Sequence, residues 1–209
     1  MALERNPDAG KAMIEAGWEV ASHGYRWIDY QYVDEQTERE HIQKAVDITN
    51  KVCGKRPVGI YQGKPNPNTR RLIVEEGGFL YDSDAYNDDL PYWNTEHGKP
   101  HLIIPYALET NDMRFATSGN LSGDQFFAYL RDSVDFLLEE GRQGYPKMLS
   151  IGLHCRLVGR PARAAALAKF LDYVKSKGSE VWVCRREDIA HHWYKHHPPP
   201  PSLSQPMTI

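Results

Sequence analysis

The sequence predicts an α/β fold on a parallel sheet, open or rolled into a (β/α) barrel, and three observations predict it. Amphipathic helical stretches alternate with short apolar runs through most of the 209 residues. The runs are brief and β-rich in type without strict alternation, which is the pattern of strands covered on both faces by helices. Polar residues suited to chemistry follow several of the runs, where sites of such folds lie.

Taken in order, the elements are read as follows. Asp8 to Ala16 is helical, and Trp18 to Ser22 is the first strand-like run. Asp34 caps a helix whose inward stripe is Ile42, Ala45, Val46 and Thr49 and which stops at Cys53 and Gly54. Val58 to Tyr61, Phe79 to Tyr81 and Leu102 to Pro105 are further runs. Ser122 and Gln125 form a capping box ahead of Phe126, Phe127, Leu130, Val134, Leu137 and Leu138, with Gly141 closing the helix. Met148 to Leu153 is a strand-like run before a helix from Pro161 to about Lys177, and Val181 to Cys184 is the last run. Residues 1–197 therefore read as one domain, and the proline-rich residues 198–209 as a disordered tail. An α/β barrel does not usually begin with one helix and a strand, so either the sheet is small and open or one or more earlier strands are missing.

Composition narrows the function classes. Charged residues make up 25% of the chain and the net charge is −3, too close to balance to advertise nucleic acid or an anionic membrane as partner. A small-molecule substrate and a homo-oligomeric state are expected. There is no apolar run of membrane-spanning length, and MALERNPDAG lacks the pattern of a secretion signal, so the expected location is cytoplasmic. The three cysteines, Cys53, Cys155 and Cys184, form no CxxC pair, which argues against a disulfide framework or a structural zinc site.

The candidate site residues sit after the predicted strands. His23 follows the first run and His154 the run from Met148, so two imidazoles are expected at one sheet edge. Asp82 and Asp84 follow a third run, and together these groups supply a base, an acid and an orienting carboxylate for hydrolysis. Arg56, Arg156 and Arg160, with Tyr61, are read as groups for carbonyl oxygens or an oxyanion. Asn68 either caps the helix after it or reaches a substrate amide. His192 and His196 stand at helical i, i+4 spacing, which suits a metal clamp but also a solvated face. No GxSxG elbow, phosphate loop or dinucleotide fingerprint is present.

Three blocks, EVASHGYRW, KRPVGIY and SIGLH, resemble in order and spacing the histidine, Arg-Pro and Leu-x-His blocks of the polysaccharide deacetylases. The resemblance implies a distorted (β/α) barrel. It also implies hydrolysis, which in most of that family is metal-assisted removal of acetyl groups from amino sugars. In those enzymes the histidine block holds two metal-binding histidines four residues apart, and here the second position is Trp27. The strings SHGYRWIDYQ, PNTRRLIVEEGGFLYDSDAY, DDLPYW, IPYALETNDMRF and LHCRLVGRPAR resemble the cofactor-independent allantoinase branch of the same superfamily, from about Met1 to His197. That branch implies no metal, no cofactor, and opening of the hydantoin ring of allantoin to allantoate, with Trp27 stacking the flat heterocycle. His23 or His154 is the expected base, Arg56 or Arg160 the oxyanion donor, and Asp84 the orienting group. A chitin or polysaccharide deacetylase, or a non-catalytic carbohydrate-binding remnant of the fold, are the competing readings.

Overall fold

The computed structural model describes residues 1–117 and 122–199. Most of the predicted tail, residues 200–209, lies outside the described residues. The architecture is mixed α/β with parallel strands. Two compact units are distinguishable: Met1–Ala85, Pro91–Pro105 and the segment from Cys184 form the first, and Tyr86–Leu90 with Tyr106–Val183 the second.

The first unit opens with α1 (Ala2–Arg5) and α2 (Pro7–Glu15). In α3 (Glu35–Cys53) the Asp34 carboxylate accepts from the Thr37 N–H and Gly54 ends the helix at φ 71°, both as the capping pattern predicts. Four short strands follow: β1 (Gly59–Ile60), β2 (Tyr81–Asp82), β3 (Tyr92–Asn94) and β4 (His101–Ile103), with α4 (Thr69–Glu76) between the first two. Their order in the sheet is β1-β2-β4-β3, and among the described residues the sheet does not close. The β1–β2 and β2–β4 pairs are parallel, whereas β3 runs antiparallel to β4. Ile60 in β1 packs with Ile42 and Val46 of α3, with Leu72 and Ile73 of α4, and with Phe79.

The last described helix of this unit, designated α9 (Arg186–His196), is tied to the sheet by polar contacts. Arg186 Nη1 donates to Ser83 Oγ (2.9 Å) and to the Ile104 carbonyl (3.0 Å). Glu19 accepts from the Tyr81 hydroxyl (2.7 Å) and from the Glu187 N–H (2.8 Å). Burial raises the pKa of Glu19, because the carboxyl pays a desolvation penalty only partly offset by those donors.

The second unit is helical: α5 (Asp112–Thr117), α6 (Gly123–Arg142), α7 (Cys155–Val158) and α8 (Pro161–Ser176). The capping box at Ser122 and Gln125 forms as the sequence predicts. Phe126, Phe127, Leu130 and Val134 of α6 meet Ala166, Phe170 and Val174 of α8 in a second core.

Three predicted strands need correction. Trp18 to Ser22 contributes only a single parallel bridge, Ser22 to Ile60. Met148–Leu153 and Val181–Cys184 are not strands. Their apolar character has another use, since Leu149, Ile151 and Val181 pack on the α6–α8 core. Their backbone also finds partners outside a ladder: the Thr110 hydroxyl donates to the Ser150 carbonyl and the Asp112 N–H to the Gly152 carbonyl.

Candidate active site

In the first unit, the ends of β1 and β2 lead into one polar cluster. Asp84, two residues past β2, accepts from the backbone N–H of Gln62 (2.6 Å) and of Gly63 (2.7 Å), the turn that follows β1. Gly63 takes φ +80°, which L side chains rarely adopt, so a glycine is needed where the turn brings its amide to the carboxylate. Burial pushes the Asp84 carboxyl up to about 6; the two amides and Arg70 oppose the shift, and neighbouring Asp82 adds to it.

Asp82 is 1% exposed and is bound by Arg70, whose Nε donates to Oδ2 (3.0 Å) and Nη2 to Oδ1 (3.3 Å). Buried His101 places Nε2 3.4 Å from the same Oδ2. Burial works against the Asp82 charge, but His101 and Arg70 outweigh it and hold the carboxyl below its ordinary value. A pocket of about 190 Å³ opens here, lined by residues 65–67, Thr69, Arg70, Ile73, Asp82 and Asp84.

His23 is exposed and stacks on Tyr61 with ring centroids 5.1 Å apart. Its Nδ1 lies 2.5 Å from the Tyr61 carbonyl oxygen. A carbonyl only accepts, so Nδ1 is the donor of this bond. Trp27 is 67% exposed, and Lys64 Nζ sits 4.8 Å from its ring centroid.

Two residues read as substrate-binding have the following surroundings. Arg56 Nη2 donates to both carboxylate oxygens of Glu76 (2.7 and 2.8 Å) and its guanidinium lies over Phe79, clamping the end of α4. Asn68 stands at the N-cap position of α4 but makes no side-chain cap bond, because its backbone is already helical (φ −83°, ψ −20°). Asn66 Oδ1 accepts from the Asn68 N–H instead (2.6 Å).

In the second unit, His154 leads into α7 and is paired with Asp112 at the start of α5. The His154 Nδ1 is 2.6 Å from Asp112 Oδ1, and the His154 backbone N–H donates to Oδ2 (2.8 Å). Asp112 is 3% exposed, while the His154 side chain keeps 32% of its surface. The carboxylate therefore fixes both the ring and the backbone of one residue, and leaves Nε2 as the proton-accepting atom. Gly152 is required nearby, since a Cβ there would overlap the Tyr106 hydroxyl and the Asn111 amide, which hydrogen-bond each other at 2.8 Å. Arg156 and Arg160 are exposed in the same unit.

Asp112, Arg70 and His101 are the residues that sequence reasoning missed. Asp112 is 42 residues from its histidine, and no local pattern links the two.

Trp27 stands four residues after His23, and among the described residues no three His, Cys, Asp or Glu side chains converge to hold an ion. No helix among them is long and apolar enough to cross a membrane.

A protein of Schizosaccharomyces pombe, named "Putative polysaccharide deacetylase", is 45% identical over 214 residues, covering 94% of this chain and 67% of the relative. The chain belongs to the polysaccharide deacetylase family. The family model, described as polysaccharide deacetylase, matches residues 2–74. Among solved structures, the "probable Polysaccharide deacetylase" of Pseudomonas aeruginosa is 60% identical with a TM-score of 0.89, over 94% of this chain and 66% of that one. The structure of Puue allantoinase is 59% identical with a TM-score of 0.90, over 95% of this chain and 66% of that one. The chain thus spans about two thirds of the length of each of these relatives.

Proposed function

We propose that the chain belongs to a hydrolase of cyclic amides that opens the hydantoin ring of allantoin to allantoate. The Asp112–His154 pair carries the reading, because it presents a fixed imidazole with a free proton-accepting nitrogen. His154 Nε2 takes a proton from water as the water oxygen bonds to a ring carbonyl carbon. The tetrahedral oxyanion then collapses, the ring C–N bond breaks, and the departing nitrogen receives the proton from His154. One water is consumed, and the carboxylic acid formed releases its proton to solvent, so the product carries a carboxylate and a ureido group.

Trp27 favours a flat ring over a sugar polymer, since an exposed indole stands where the family's second metal-binding histidine is expected. The 59% identity to an allantoinase points the same way. Removal of acetyl groups from amino sugars is the second reading, and the names of two relatives favour it.

One assay separates them. Purified protein is offered allantoin and acetylated chitin oligomers, before and after dialysis against a strong chelator. Ring opening that survives the chelator is expected. Acetate release with stoichiometric zinc, lost on its removal, would establish the second reading instead.

A further inference from the structure

We propose that Arg70 and Asp84 together form an amide-recognition element, in which the guanidinium donates to a substrate carbonyl and the carboxyl accepts from the adjoining N–H. The inference names the substrate group taken by the pocket of the first unit, and it rests on the hydrolase reading for the identity of the molecule that carries it.

The argument begins with a donor count. Arginine has five N–H donors and no acceptor. In Arg70, Nε donates to Asp82 Oδ2, and Nη2 donates to Asp82 Oδ1 and to the Asp84 carbonyl (2.9 Å). These bonds use three donors, so the two on Nη1 have no partner among the described residues. The side chain is 26% exposed and lines the pocket, so those donors are not sealed from ligand. Asp82, in turn backed by His101, fixes the guanidinium in advance, and little freedom remains to be lost on binding.

Asp84 complements this. A carboxylate offers about four lone-pair sites, and two are taken by the Gln62 and Gly63 amides. The pocket therefore presents donors and an acceptor side by side, the complement of a C(=O)–NH unit such as an imide, a ureide or an acetamido group. Its volume of about 190 Å³ lies below the range of about 300–1,000 Å³ usual for drug-sized ligands, which suits one small ring or one acetamido arm.

The test uses hydantoin as probe and calorimetry as readout. Arg70→Lys keeps a cation for Asp82 but removes the fork of donors, and should weaken hydantoin binding about tenfold to a hundredfold. In turnover the same variant should raise KM with little change in kcat, a split that a merely structural role would not give. If the variant fails to fold, the wild-type protein is labelled with phenylglyoxal and Arg70 followed by mass spectrometry, hydantoin being expected to slow its modification. Equal hydantoin affinity in the two proteins, no binding by the wild type, or labelling indifferent to hydantoin would each overturn the proposal. Arg70-dependent binding without turnover of allantoin would instead sink the ring-opening reading and leave this one standing. Turnover with a KM indifferent to Arg70 would do the reverse.

Discussion

Half-buried Asp84 and buried Asp112 are both carboxylates that accept two hydrogen bonds from neighbouring chain, yet they hold different things. Asp84 takes both bonds from backbone amides, so it fixes a turn. Asp112 takes one from a backbone amide and one from an imidazole, so it fixes a group that can carry a proton. The difference lies in the partner. A peptide N–H cannot titrate near neutral pH, whereas a histidine can, and only the second arrangement passes orientation on to a reactive atom.

The sharpest break of that comparison is His154→Ala. Loss of a positioned general base lowers turnover by about 10²–10⁴. The thermal transition should stay nearly in place, because a third of the side-chain surface is already in water. A variant that unfolds would show a structural histidine and remove the contrast with Asp84. Asp112→Asn should reproduce a large part of the kinetic loss, since the amide no longer selects the same tautomer with the same strength.

The two cores offer the next comparison. Leu130 is 0% exposed in the α6–α8 core and Leu72 is 1% exposed against β1. Truncation of either to alanine should cost about 2–5 kcal/mol in chemical denaturation. A value under about 1 kcal/mol at either site would mean that core collapses around the gap.

Asp84 should also be visible in the pH dependence of stability. Its folded value of about 6 lies above the ordinary 3.8, so the folded state binds the proton more tightly than the unfolded chain. The resulting stabilisation is fully present below about pH 4 and is lost as pH rises through 6, amounting to about 3 kcal/mol. Glu19 and Glu38, also raised by burial, act in the same direction, while Asp82, held down, acts in the opposite one. The measurement is therefore the difference between wild type and Asp84→Asn in denaturation midpoint from pH 4 to 6.5. A difference that does not change with pH would show that Asp84 ionises normally.

Much of the fold was legible because helices advertise themselves locally. The caps at Asp34, Gly54 and Ser122 and the stripe through Ile42, Ala45 and Val46 are decided by residues three or four apart. The strands were less legible: an apolar run such as Met148–Leu153 reads the same whether it joins a ladder or only packs on α6 and α8. Site geometry was hardest, because it depends on pairs distant in sequence. Arg56 is a candidate ligand by its place next to Pro57, but its pairing with Glu76 is not legible, because only the fold brings the two together. Asp112 carried no signal beyond its place inside a family-like string.

The smallest effect tests two N-caps that looked alike in sequence. Ser122 has extended backbone (φ −75°, ψ 163°), and its hydroxyl accepts from the Gln125 N–H at 3.2 Å. Asn68 has helical backbone, which turns its side chain away from the amides of the first turn. Replacement of Ser122 by alanine removes a bond that α6 uses and should cost about 1 kcal/mol. Replacement of Asn68 by alanine removes no capping bond, and only a 3.4 Å contact from Arg71 Nη2 is lost, so the change should stay within about 0.5 kcal/mol. Urea denaturation of the two variants decides the matter. Equal losses near 1 kcal/mol would mean that Asn68 does cap α4 in solution, and that residue type is a better guide than backbone conformation at this position.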